Sequence, residues 1–166
     1  MSDETEFGFS YEYGIDIYDP AEKEWIPFRF PTGLQPTVDP VTAEAGTYDD
    51  LGAPNEAKLS ESWGFSFTVQ QHRTSDGTYL PEVELLKSYT EPDANGKAAE
   101  GKFRWYDKPS EGTPNSGDAY EGLATVKMDR GATDNQGIGS WNVTLTGVGR
   151  RTKITNPWTG WDEVGG

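Results

Sequence analysis

The sequence predicts a mainly β fold, an antiparallel β-sandwich or barrel flanked by one α-helix over about residues 80–90. Three observations predict it. Apolar residues recur with a period of two in six separate stretches. A single stretch combines helical spacing with start and stop signals. Phe, Trp and Tyr make up 13% of the 166 residues, which supplies core material in large side chains. The aromatics outweigh a contrary sign. Leu, Ile, Val and Phe number 28, about 17%, below the roughly 20% at which a highly charged chain is usually disordered. Disordered chains, however, are poor in aromatic residues.

Residues 11–18 (YEYGIDIY) and 24–30 (EWIPFRF) read as two strands joined across Asp19-Pro20. In 61–71, Trp63, Phe65, Phe67 and Val69 share one face, and Ser62, Ser66, Thr68 and Gln70 the other. In 101–106, Phe103 and Trp105 alternate with Lys102, Arg104 and Tyr106. In 119–129, Tyr120, Ala124, Val126 and Met128 oppose Glu121, Thr125, Lys127 and Asp129. In 138–148, Trp141, Val143 and Leu145 oppose Asn142, Thr144 and Thr146. One apolar and one small polar face is the pattern of antiparallel strands. The core therefore takes Trp63, Phe65, Phe67, Trp105, Val126, Trp141, Val143 and Leu145.

The helix follows Ser75-Asp76-Gly77. Pro81 suits a first turn, Glu82 and Glu84 favour its positive end, and Lys87 the other end. Val83 and Leu86 can meet the sheet together, and Pro92 with Asn95-Gly96 stops the helix. Residues 31–58, rich in Pro and Gly around Asp49-Asp50, read as a long irregular loop, and 107–118 as a shorter one. The organisation is one β domain, 1–151, with a C-terminal arm, 152–166, that carries Trp158 and Trp161.

Composition narrows the chemistry. With 14 basic and 28 acidic residues, the net charge is -14. Affinity for nucleic acid or an anionic membrane rests on cations, so both are disfavoured as binding partners. Cysteine is absent and His72 is the single histidine, which leaves little material for a nucleophilic triad or a zinc centre. A turn histidine at a strand end is ordinary. Asp129, Asp134 and Asn135 are oxygen donors without EF-hand spacing, and a hairpin turn explains them. Among so many acids, a glycosidase-like carboxylate pair arises by chance. The residues thus point to no catalytic group, no cofactor and no metal. The N-terminus, MSDETEFGFS, lacks a basic region before an apolar run, so a secretory leader is not expected. Six tryptophans on a β domain leave a carbohydrate-binding module as the alternative function.

The ordered set ESWGFSFTV (61–69), TYLPEVELLKSY (78–89), EGKFRWYD (100–107), YEGLATVKMDRGATDNQ (120–136) and SWNVTLTGVGR (140–150) resembles the major tail tube proteins of long-tailed, non-contractile bacteriophages, especially those of actinobacteria. The resemblance covers about residues 59–151, and Gly122 and Gly147 fall where the family pattern has glycine. It implies a structural virion protein, assembled in the host cytoplasm. It implies hexameric rings stacked into a tube whose inner wall is a continuous β-barrel. Double-stranded DNA would pass without specific binding, and tape-measure, tail-tip and terminator proteins would be further partners. On this reading Ser62, Ser66, Thr68, Gln70, Glu121, Asn142, Thr144 and Thr146 face the lumen. Loop 31–58, through Asp49, Asp50 and Leu51, and the arm, through Trp158 and Trp161, contact neighbouring subunits. The low aliphatic content then has a cause, since part of the burial comes with assembly. A head-decoration or tail-terminator protein is a further structural alternative.

Overall fold

A computed structural model describes residues 5–131 and 134–160. Seven strands form one antiparallel sheet: β1 (Tyr13–Asp19), β2 (Glu24–Pro27), β3 (Pro31–Glu44), β4 (Glu56–Gln70), β5 (Glu100–Asp107), β6 (Ala119–Arg130) and β7 (Ser140–Lys153). Their order is β2-β1-β5-β6-β7-β4-β3. The helix α1 (Pro81–Ser88) lies between β4 and β5 in sequence. The sheet is open, with β2 and β3 as its edges, so it is not closed into a barrel.

The sandwich character comes from one sheet folding over itself. β4 and β5 are separated in the sheet by β6 and β7. Even so, Trp63 on β4 lies 4.9 Å from Trp105 on β5, centroid to centroid, and Phe65 lies 5.5 Å from Trp105. Only a strongly coiled sheet brings such rings together. Phe28 meets Phe67 edge-on at 5.0 Å. Leu80, Val83 and Leu86 from α1 close one end of the cluster. Trp63, Phe65, Phe67, Trp105, Trp141, Val143 and Leu145 are buried, while Val126 is half-buried and packs on the cluster's margin with Met128.

Two glycines seat Trp63. A Cβ at Gly122 would stand 2.6 Å from the indole ring, and one at Gly147 closer still. Neighbouring strands β6 and β7 thus share a slot that only glycine leaves open. The Trp63 and Trp141 indole N–H groups are buried and lack a hydrogen-bond acceptor among the described residues.

Three elements differ from the sequence reading. Residues 31–58 are not an irregular loop. They form β3, a 3₁₀ turn at Tyr48–Asp50 and the start of β4, paired from Thr42↔Lys58 to Glu44↔Glu56. Pro31, Pro36 and Pro40 looked like breakers, but an edge strand tolerates residues that cannot donate to a ladder. The strand expected at 24–30 stops at Pro27. Phe28 turns into the core, and Phe30 adopts φ +60°, which redirects the chain into β3. Glu82 is not a solvated helix-end acid. It is 0% exposed and accepts from Arg29 Nε at 3.0 Å, Arg29 Nη2 at 3.0 Å and the Arg29 backbone N–H at 3.1 Å. This clamp ties α1 to the β2–β3 connection.

Candidate assembly surface

The polar face opposite the core is a continuous field across four strands. Ser66 pairs with Thr144, Thr68 with Asn142 and Gly64 with Thr146 between β4 and β7. Thr125, Lys127 and Asp129 of β6 stand opposite Thr146, Thr144 and Asn142. Gln35, Thr37 and Asp39 of β3 stand opposite Ser66, Gly64 and Ser62. The Thr68 hydroxyl donates to Asn142 Oδ1 at 3.0 Å. Most of these side chains are short hydroxyls and amides. Lys127 lies 3.6 Å from Asp129, an exposed pair that nearly cancels. The face is therefore close to neutral, although the chain as a whole carries -14.

Of the residues expected to line a lumen, Ser62, Ser66, Thr68, Asn142, Thr144 and Thr146 belong to this field. Gln70 ends it, its Oε1 3.1 Å from His72 Nε2. Glu121 stands apart. It pairs with Arg104 and Thr152 beside the register shift between Glu121 and Leu123. The β3 contribution escaped the sequence reading because 31–58 read as loop. The signal was present in Thr32, Thr37, Val38, Val41 and Thr42, β-branched residues spaced between the prolines.

The β3–β4 hairpin carries a built turn. Asp50 Oδ2 accepts from the Thr47 N–H at 2.8 Å, the Asp50 N–H donates to Thr47 O at 3.0 Å, and Asn55 Nδ2 donates to Asp50 Oδ2 at 3.3 Å. The Thr47 N–H, with Asn55, holds the Asp50 carboxyl below its ordinary pKa. Asp49 and Leu51 are exposed at the tip.

Where the hairpin leaves the sheet, a recess of about 340 Å³ gathers Lys58, Arg150, Arg151 and Lys153 around Glu61. Arg151 bonds Glu61 through Nε and lies over the Tyr120 ring at 4.3 Å. Hydrogen bonds from Arg151 first, then Lys58, pull the Glu61 carboxyl down to about 2.

Trp158 is a correction to the expected free anchor. It is 8% exposed and packs against Tyr106 and Ala119 of its own chain. Asn156 Oδ1 accepts from the Trp158 backbone N–H at 2.9 Å, and Asn156 Nδ2 donates to the Asp107 carbonyl at 2.8 Å. The second residue of the expected pair, Trp161, lies outside the described residues. Trp63, Trp105, Trp141 and Trp158 are buried, and Trp25 is half-covered with the Arg104 guanidinium 4.6 Å from its ring. A flat sugar platform of exposed tryptophans is not present among the described residues.

Beside Trp158 opens a groove of about 820 Å³ between β1, β2 and the start of β3. On its floor Asp16 accepts from Arg104 Nε at 2.7 Å and from the Tyr106 hydroxyl at 2.9 Å. Burial raises the Asp16 carboxyl above its ordinary pKa, against the pull of Arg104. Burial lowers the ammonium of Lys108.

No family model and no curated protein sequence matches the chain. Solved structures do. The tail of an empty gene transfer agent (GTA) particle with C6 symmetry matches with a TM-score of 0.65 at 8% identity, over 90% of this chain and 100% of that one. A chain of the native GTA virion matches at 0.62 and 9% identity, again over 90% and 100%. The SPP1 tail tube matches at 0.54 and 16% identity, over 89% of this chain and 79% of that one. At such low identity the likeness is one of fold. Nearly the whole chain is built as these tail subunits are built.

Proposed function

We propose that this chain is the structural, non-enzymatic subunit of a bacteriophage tail tube, assembling as sixfold rings that stack into a conduit for DNA. The observation that carries the reading is the shared fold over about nine-tenths of the chain with tail subunits, one of them in a C6 assembly. The neutral hydroxyl field on β3, β4, β6 and β7 suits a lumen wall. It offers DNA no cation without a nearby acid, so phosphates find no fixed counterion to release. Six copies of a -14 chain carry about -84, and that long-range field keeps the duplex from adhering. The open sheet edges β2 and β3 become acceptable when neighbouring subunits cover them. Tape-measure, tail-tip and terminator proteins are the further partners this role requires, and the virion is its location.

Light scattering on a sizing column across a concentration series tests the reading. Species of six chains and larger polymers are the expected result. A monomer that persists when concentrated, in both low and high salt, would overturn it.

A further inference from the structure

We infer that the groove at the start of β3 receives the hairpin tip of a second copy of this chain. The inference rests on the tail-tube reading for that second copy and adds the place where the tip seats.

The tip is shaped like a plug. Tyr48 is 99% exposed and Leu51 93%. Leu51 sits at φ +53°, a conformation that glycine adopts without penalty and leucine does not, with Gly52 at +85° beside it. The hydrogen bonds among Thr47, Asp50 and Asn55 hold this turn rigid, so two apolar side chains project from an already ordered surface. Ordering before contact is what lowers the entropic cost of docking.

The groove has the matching character. Its wall includes Trp25, Phe28, Phe30 and Trp158. Its volume falls in the roughly 300–1,000 Å³ range of sites that enclose a small ligand, which is the scale of a four-residue turn. Phe30 is also non-glycine at positive φ and 49% exposed, so strained apolar residues mark both the groove and the tip. The lining brings Arg29, Arg104 and Lys108 against one acid, Asp16. Glu82 offsets Arg29 from behind. The tip brings Asp49 and Asp50. Apolar contact supplies the affinity, and the charges fix which way the turn enters.

Geometry requires that the two come from different copies. β3 begins at the groove and runs 14 residues to the hairpin end, about 45 Å of extended chain. A paired hairpin cannot fold its own tip back over that length. Complementary surfaces at separate places on one chain make a head-to-tail contact, which propagates into rings or filaments.

The absence of cysteine makes a clean test. Leu51→Cys and Thr32→Cys are made as separate variants, Thr32 being an exposed groove residue. They are mixed under assembling conditions with a mild oxidant and run on a denaturing gel. A disulfide forms only when the two Cα atoms come within about 7 Å. The expected result is a covalent dimer in the mixture, with each variant alone at background. In parallel, the double variant Tyr48→Ser, Leu51→Ser should need at least tenfold more protein to assemble, with an unchanged unfolding midpoint. Polymers that form without the mixed dimer, or a double variant that assembles like the parent, would overturn the seating while leaving the tail-tube reading intact. Failure of the unmodified chain to assemble at all would remove that reading and this inference together.

Discussion

Gly147 and Gly122 show how a single missing atom can set a core. The Trp63 indole fills the space their side chains would take, and Trp63 in turn carries Trp105 and the coiling of the sheet. Gly147→Ala should therefore cost about 1–3 kcal/mol through overpacking, read as a lower midpoint in chemical denaturation. Glu61 gives a second residue-scale test, through pH. Its folded carboxyl, held at about 2 by Arg151 and Lys58, lies below the ordinary 4.5. The unfolded chain thus binds the proton first as pH falls. The pair's contribution is fully present above about pH 4.5 and is lost between 4.5 and 2. Asp16, with its folded pKa raised by burial, acts in the opposite sense, favouring the folded state as acid is added through its titration. Glu61→Gln should flatten the loss of stability between pH 4.5 and 2, measured as denaturation midpoints at a series of pH values. An unaltered slope would show that Glu61 is not held by its two cations.

At the scale of elements, α1 depends on one clamp. Glu82 is buried and satisfied by three donors, all from Arg29. Glu82→Gln places an amide N–H₂ among donors, so it should cost about 1–3 kcal/mol and loosen the helix, seen as faster amide exchange in residues 81–88. The strand elements with a buried face were legible from alternation alone, since Trp63, Phe65, Phe67 and Val69, like Trp141, Val143 and Leu145, repeat every second residue. β3 was not legible. Its two faces are both largely exposed, so no apolar period marks it, and its prolines argue against a strand unless the edge position is already known. The hairpin as a rigid arm was hidden for the same reason. Trp158 was misread for a different reason. Nothing in a Pro- and Gly-rich tail announces that Asn156 anchors it through backbone carbonyls on the β5 side. The polar field was half-legible: its β4 and β7 residues followed from parity, and its β3 residues waited for the hairpin register.

For the molecule as a whole, charge opposes assembly and apolar docking favours it. Copies carrying -14 repel one another, and that repulsion is screened as the Debye length shortens from about 30 Å at 0.01 M salt to about 8 Å at 0.15 M. The concentration needed for assembly should therefore fall as salt rises over this range, measured by light scattering. A rise would mean that attractive charge pairs, rather than apolar contacts, hold the copies together. The central claim is that six copies close into a ring whose inner wall is the hydroxyl field of β3, β4, β6 and β7. Electron-microscope averaging of the assembled protein tests it most directly. The account predicts hollow tubes of sixfold symmetry with Ser66, Thr68, Asn142 and Thr144 lining the channel. A solid fibre, a different symmetry, or a tube with those residues on its outer surface would contradict it.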